Sequence, residues 1–121
     1  MAWDRSALLA DPEFESLWPA LSLCPADRFP TPEDLTELAR ARGAASGGGA
    51  PIRFASGAAP RDSGSEYEAR ICREGEVRTR PENHHDLFNA LVWLAFPRTK
   101  AALNRRHCEE MGTRASAPGS Q

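Results

Sequence analysis

Asn83-His-His-Asp-Leu-Phe-Asn-Ala-Leu-Val-Trp-Leu-Ala-Phe-Pro-Arg-Thr-Lys-Ala-Ala-Leu-Asn-Arg-Arg-His107 is the stretch on which the reading of this fold turns. From Leu87 to Phe96 it is apolar nearly all round, the pattern of a helix buried at the centre of a domain. Asn83 suits a helix cap, and Asp86 stands in the capping-box position three residues on. Pro97 must kink or end that helix. A second helical segment, Arg98 to about Met111, places Leu103, His107 and Met111 on one face, so the stretch predicts a central helix pair. The longest unbroken apolar run, Ala90 to Phe96, rises only about 10 Å as a helix, against the ~30 Å core of a bilayer, which excludes a membrane span.

Working outward, Thr31-Pro32-Glu33-Asp34 is a helix start: Thr caps, Pro suits the first helical position and two acids favour the positive helix end. Leu35, Leu38 and Ala39 mark its buried face, and Gly43 its end. Before it, Leu8, Leu9, Phe14, Leu17 and Trp18 recur at helical spacing between prolines, which predicts short helices or turns. Pro51 to Phe54 reads as a short strand. Tyr67, Ala69 and Ile71 alternate with Glu68, Arg70 and Cys72, then Gly75 precedes Val77 and Thr79, and this alternation predicts a β-hairpin. Residues 43–51, rich in Gly, Ala and Ser, read as a flexible connector spanning roughly 15 to 18 Å. A second loose stretch covers 55–65, and the composition of 112–121 predicts a disordered tail. The fold expected is helix-rich α+β, with a small hairpin and the apolar helix pair, in one domain over residues 1–111.

Composition narrows the function classes. A chain of 121 residues with ten prolines and nine glycines has room for one modest domain. Residues 1–50 carry four arginines against eight acids and residues 51–121 eleven basic against nine acidic side chains, with a net charge of -2. That balance disfavours nucleic acid as a partner. Met-Ala-Trp-Asp-Arg lacks the form of a secretory signal, which predicts a cytoplasmic protein. Cys24, Cys72 and Cys108, odd in number and far apart, are expected as reduced and mostly buried thiols.

Two polar groupings stand out within the helix pair. His85 and Asn89 lie four residues apart on one face, and Asn104 and His107 lie three apart on the next helix. A hairpin at Pro97 would bring them together, with Asp86 nearby. Such a cluster suggests either a metal-assisted hydrolase or nuclease using His85, Asn104 and His107, or a structural tie between the helices. No spacing of Cys and His fits a structural zinc site, and the sequence does not identify a cofactor. Arg98, Thr99 and Lys100 form the second grouping. Cations at the start of a new helix would hold phosphate or carboxylate, with Asp34 or Glu37 as alternative partners. The reading preferred over both is a binding or assembly module, self-associating or meeting a protein partner through the apolar helix 87–96.

The chain resembles a bacterial family known as domain of unknown function 3025. The resemblance rests on Tyr67-Glu68-Ala69-Arg70-Ile71, the Gly75 turn, Thr79-Arg80, His85 to Leu94, Phe96 to Asn104, and His107. Family members usually carry Trp where His84 stands here, so only His85 of the His-His pair belongs to the shared pattern. The family also continues past the position of Met111, and the resemblance therefore implies the front part of a larger fold, an incomplete or truncated member. It brings no assigned activity.

Overall fold

The computed structural model describes residues 3–58 and 64–116, and side chains within 3–58 and 66–110. Three short turns of helix open the chain. Helix α1, Arg5–Ala10, is capped by Asp4, whose side chain accepts from Ala7 N at 3.0 Å; a 3-10 segment, Pro12–Leu17, starts on Asp11; and α2, Trp18–Leu21, follows at once. The indole N–H groups pin this region, Trp3 donating to Pro25 O at 2.8 Å and Trp18 to Leu8 O at 3.0 Å. Helix α3 spans Pro32–Arg42 with a complete capping box between Thr31 and Asp34, and it ends on Gly43, left-handed at φ 67°. Its start, its buried Leu35 and Ala39, and its stop lie where the sequence puts them.

The sheet differs from expectation. Strands β1, Arg53–Ser56, and β2, Glu76–Thr79, pair in parallel, and α4, Gly64–Glu74, crosses between them. The hairpin predicted over 67–79 is therefore corrected to a helix followed by a strand. Tyr67 and Ile71 fit a two-residue alternation, but they are also one helical turn apart. Ile71 and Cys72 are both buried, as neighbours on the inner stripe of a helix can be; in a strand they would face opposite ways. Gly75, at φ 74°, donates to Ile71 O at 2.7 Å and closes the helix. Thus the glycine turn joins helix to strand. Helix-rich α+β remains the fold class.

Helix α5, His84–Ala95, is the centre of the core. Leu87, Ala90, Leu91, Trp93 and Leu94 are all buried, among Leu21, Leu35, Ile71 and Val77 from α2, α3, α4 and β2. Most of the apolar surface of helix 87–96 packs in the chain's own core, while Phe96 at its end stays 42% exposed. Pro97 begins a separate helix, α6, Pro97–Ser116, which takes in residues 112–116 of the expected tail; 117–121 lie outside the described residues. The inward face of α6 is also not the one predicted. Asn104 is buried and Lys100, Ala101 and Cys108 are half-buried, whereas Leu103 and His107 are exposed; the side chain of Met111 lies outside the description.

The glycine-rich segment 43–51 is a loop held by hydrogen bonds. Ser46 Oγ donates to Cys72 O at 2.8 Å and accepts from Gly48 N and Ala50 N, and Ala45 bridges Pro51. A Cβ on Gly47 would lie 2.3 Å from Arg105 N, and one on Gly48 2.4 Å from Cys72 O. These glycines permit close approach of backbone to backbone, a use as common for glycine as flexibility. In the other expected connector, Ala55 and Ser56 still belong to β1, residues 64–65 belong to α4, and 59–63 lie outside the described residues.

Candidate functional site

The polar residues singled out in the helix pair do not converge. His85 projects into solvent, its side chain 88% exposed, with Nδ1 3.4 Å from Asp86 Oδ1. Asp86 turns the other way and accepts from Arg80 N at 2.9 Å, Arg80 Nε at 2.8 Å and Arg80 Nη2 at 3.0 Å. Asn89 accepts from Lys100 Nζ at 3.0 Å, and that ammonium also lies 5.3 Å from the Trp93 ring centroid, a cation–π distance. Asn104 Oδ1 accepts from Gly47 N at 2.9 Å, while Nδ2 donates to Glu68 O at 2.9 Å and Glu68 Oε1 at 3.0 Å. Its amide therefore spends its bonding on α4 and the 43–51 loop. His107 borders a shallow hollow beside Glu68, Lys100 and Glu110. Among the described residues no three His, Cys, Asp or Glu side chains are grouped to hold a metal ion.

Arg98, Thr99 and Lys100 do start a new helix, but they do not act together. Lys100 folds back onto Asn89, and Arg98 and Thr99 are exposed. Asp34 and Glu37, considered as partners for them, pair instead with Arg28 and Arg40.

A different place gathers donors around a concave surface. Ser56 and Thr79 end β1 and β2 opposite each other in register, and beyond them opens a pocket of about 410 Å³. Phe29, Pro30, Pro32 and Pro81 give it apolar walls, Thr31, Ser56 and Thr79 supply hydroxyls, and Arg28, Arg80 and Glu82 line it as well. Glu82 is, among the described residues, the one non-glycine with positive φ, at 50°.

The two arginines are held alike. Arg28 precedes the cap Thr31 by three and Asp34 by six; Arg80 precedes the cap Asn83 by three and Asp86 by six. Each aspartate occupies the third position of its helix and grips its arginine through both oxygens. Arg28 Nη1 bonds Asp34 Oδ2 and Arg28 Nη2 bonds Oδ1 at 3.1 Å, in parallel with the Arg80–Asp86 pair. The Arg28 guanidinium and the Thr31 backbone N–H hold Asp34 down to about pKa 2; the Arg80 side chain and backbone N–H do the same for Asp86 against the opposing effect of burial. Both carboxylates thus stay charged at neutral pH. The arginine side chains remain 52% and 49% exposed, with Nε–H of Arg28 and Nη1–H of Arg80 outside these pairs. The site lies outside the polar clusters of the helix pair, and its sequence signal is the repeated spacing Arg-x-x-cap-x-x-Asp.

The family described as protein of unknown function DUF3025 matches residues 52–120. No curated protein and no solved structure matches the chain. The match takes in both strands, α4, α5, Arg80 and Asp86, while Arg28 and Asp34 precede it. Covering more than half of the sequence, it establishes that this chain belongs to the DUF3025 family.

Proposed function

We propose that the chain is a binding module for a small organic anion, a carboxylate or phosphate ester with an apolar body, held at the carboxyl edge of β1 and β2. The observation carrying this reading is the pair of arginines lining one pocket, each fixed along one edge by a helix-start aspartate with other N–H groups left over. A guanidinium so held presents directional donors to an oxyanion at little further cost in ordering. The apolar body would lie on Phe29, Pro30, Pro32 and Pro81. Ligands of parallel α/β units commonly sit outside the carboxyl ends of the strands. Among the described residues the pocket lining has no His, Cys or Lys, which favours binding over catalysis. Asp34, Asp86 and Glu82 outnumber the two guanidinium charges, so affinity should rest on hydrogen-bond geometry and not on net charge.

Thermal melts with phenyl phosphate, benzoate and phenol test this. Ligand at ~100 times its dissociation constant adds about 2.7 kcal/mol, several degrees for a chain this small. The anions should raise Tm and phenol should not, and the double variant R28Q/R80Q should lose the response while keeping its circular dichroism. Equal shifts in parent and double variant, or none in either, would overturn the proposal.

An assembly role draws support from a second feature. Leu23 and Phe96 are 55% and 42% exposed and border a hollow of about 260 Å³ with Leu38 and Ala95. Self-association through this patch predicts concentration-dependent sedimentation that F96S abolishes; a monomer at all concentrations would remove the reading. Hydrolytic metal chemistry at His85, Asn104 and His107 gains nothing from the arrangement, because the Asn104 amide is already bonded to protein.

A further inference from the structure

Helices α4 and α6 meet along one seam in which two thiols are brought together. Asn104 reaches Glu68 across it, and one helical turn further along each helix stand Cys108 and Cys72. Gly47 and Gly48, neighbours in the 43–51 loop, abut Arg105 N and Cys72 O, which puts Cys72 beside the turn of α6 that leads to Cys108, and the Cys108 thiol acts on the Cys72 thiol. Both cysteines are free. Cys72 is buried under the 46–50 loop, its carbonyl held by Ser46 and its sulfur 3.3 Å from where a Cβ on Gly48 would stand. Cys108 is half-buried and the more accessible of the two.

We propose that Cys72 and Cys108 are a redox modification site, a dithiol that closes to a disulfide tying the crossover helix to α6. The oxidant class is a small disulfide such as oxidised glutathione. Cys108 gives up its proton to solvent and its sulfur attacks one glutathione sulfur; the glutathione S–S bond breaks and one glutathione leaves as thiolate, taking up a proton. Cys72 then loses its proton and attacks the Cys108 sulfur, forming the new S–S bond and releasing the second glutathione. The two protein thiols are oxidised by two electrons, and one glutathione disulfide is reduced to two thiols. Burial, assisted by the neighbouring Cys108, pushes the Cys72 thiol up to about 11, in keeping with its acting second. The order also follows from access, because an oxidant meets Cys108 first.

The test uses the full chain, folded and incubated with oxidised glutathione, then digested with trypsin without reduction. Peptide Ile71–Arg73 should appear linked to His107–Arg114 with the mass of two hydrogens lost, Cys24 should stay free, and Tm should rise and fall back with dithiothreitol. C72S should stop at a Cys108–glutathione adduct, and C108S should give no linked peptide. Accumulation of that adduct in the parent with Cys72 free, a dimer joined through Cys108, or unreacted thiols would each overturn the proposal.

Discussion

The corner where α4, α6 and the 43–51 loop meet and the edge where β1 and β2 end are both rich in polar groups, yet they use them in opposite ways. At the corner the bonding capacity is spent: Asn104 satisfies Gly47 and Glu68, Ser46 satisfies Cys72, Gly48 and Ala50, and glycines let the backbones touch. At the strand edge, Arg28 and Arg80 are fixed on one side and half-exposed on the other. A polar residue that looks unusual in sequence can be wholly consumed by the fold, whereas a common arginine held by a capped helix start keeps donors for something else. The first arrangement determines stability and the second is suited to recognition.

The comparison breaks most visibly if the corner is not structural. Asn104→Leu strands the Gly47 N–H and the Glu68 carbonyl and should cost ~3 kcal/mol in denaturant unfolding, more than any single change at the strand edge. Gly47→Ala, which drives a Cβ to within 2.3 Å of Arg105 N, should cost about 2 kcal/mol by the same measurement. Neither variant, where folded, should alter binding of phenyl phosphate. Arg28→Gln and Arg80→Gln should do the reverse: each costs about 1 kcal/mol or less, as is common for half-exposed ion pairs, and weakens phenyl phosphate binding roughly tenfold by calorimetry.

A smaller effect sharpens the electrostatic side. Asp34 and Asp86 are held down to about 2 in the folded chain, below an ordinary carboxylate value of 3.8. Between those values the unfolded chain binds more protons, so the stability these pairs contribute is present above about pH 4 and is lost as pH falls toward 2. Asp86→Asn should flatten that acid limb in pH-dependent melts, while His85→Ala, which removes a weaker contact on Asp86 than the Arg80 pair, should flatten it far less.

How much of this was legible follows from the range over which each signal acts. Caps work within three or four residues, so Thr31 with Asp34, Asn83 with Asp86, and the stop at Gly43 could be read directly. The buried helix at 87–95 was equally plain from its apolar density. The alternation at Tyr67, Ala69 and Ile71 was ambiguous because positions four apart share a face in helix and strand alike. Glycines 47 and 48 looked like slack since their reason for being glycine lies on other elements; Gly47 and its partner Asn104 are 57 residues apart. The arginine site was spread over two segments that only the parallel pairing of β1 with β2 brings to one pocket.

The central claim is that the strand edge, and not the helix pair, receives the ligand. Its most direct test is a titration of isotopically labelled protein with phenyl phosphate followed by nuclear magnetic resonance of backbone amides and arginine Nε–H groups. Saturable shifts centred on Thr31, Ser56, Thr79 and Arg80, with a response at the Nε–H of Arg28, are the result predicted. Saturable shifts centred on residues 98–107, or no saturable shift at all, would contradict it.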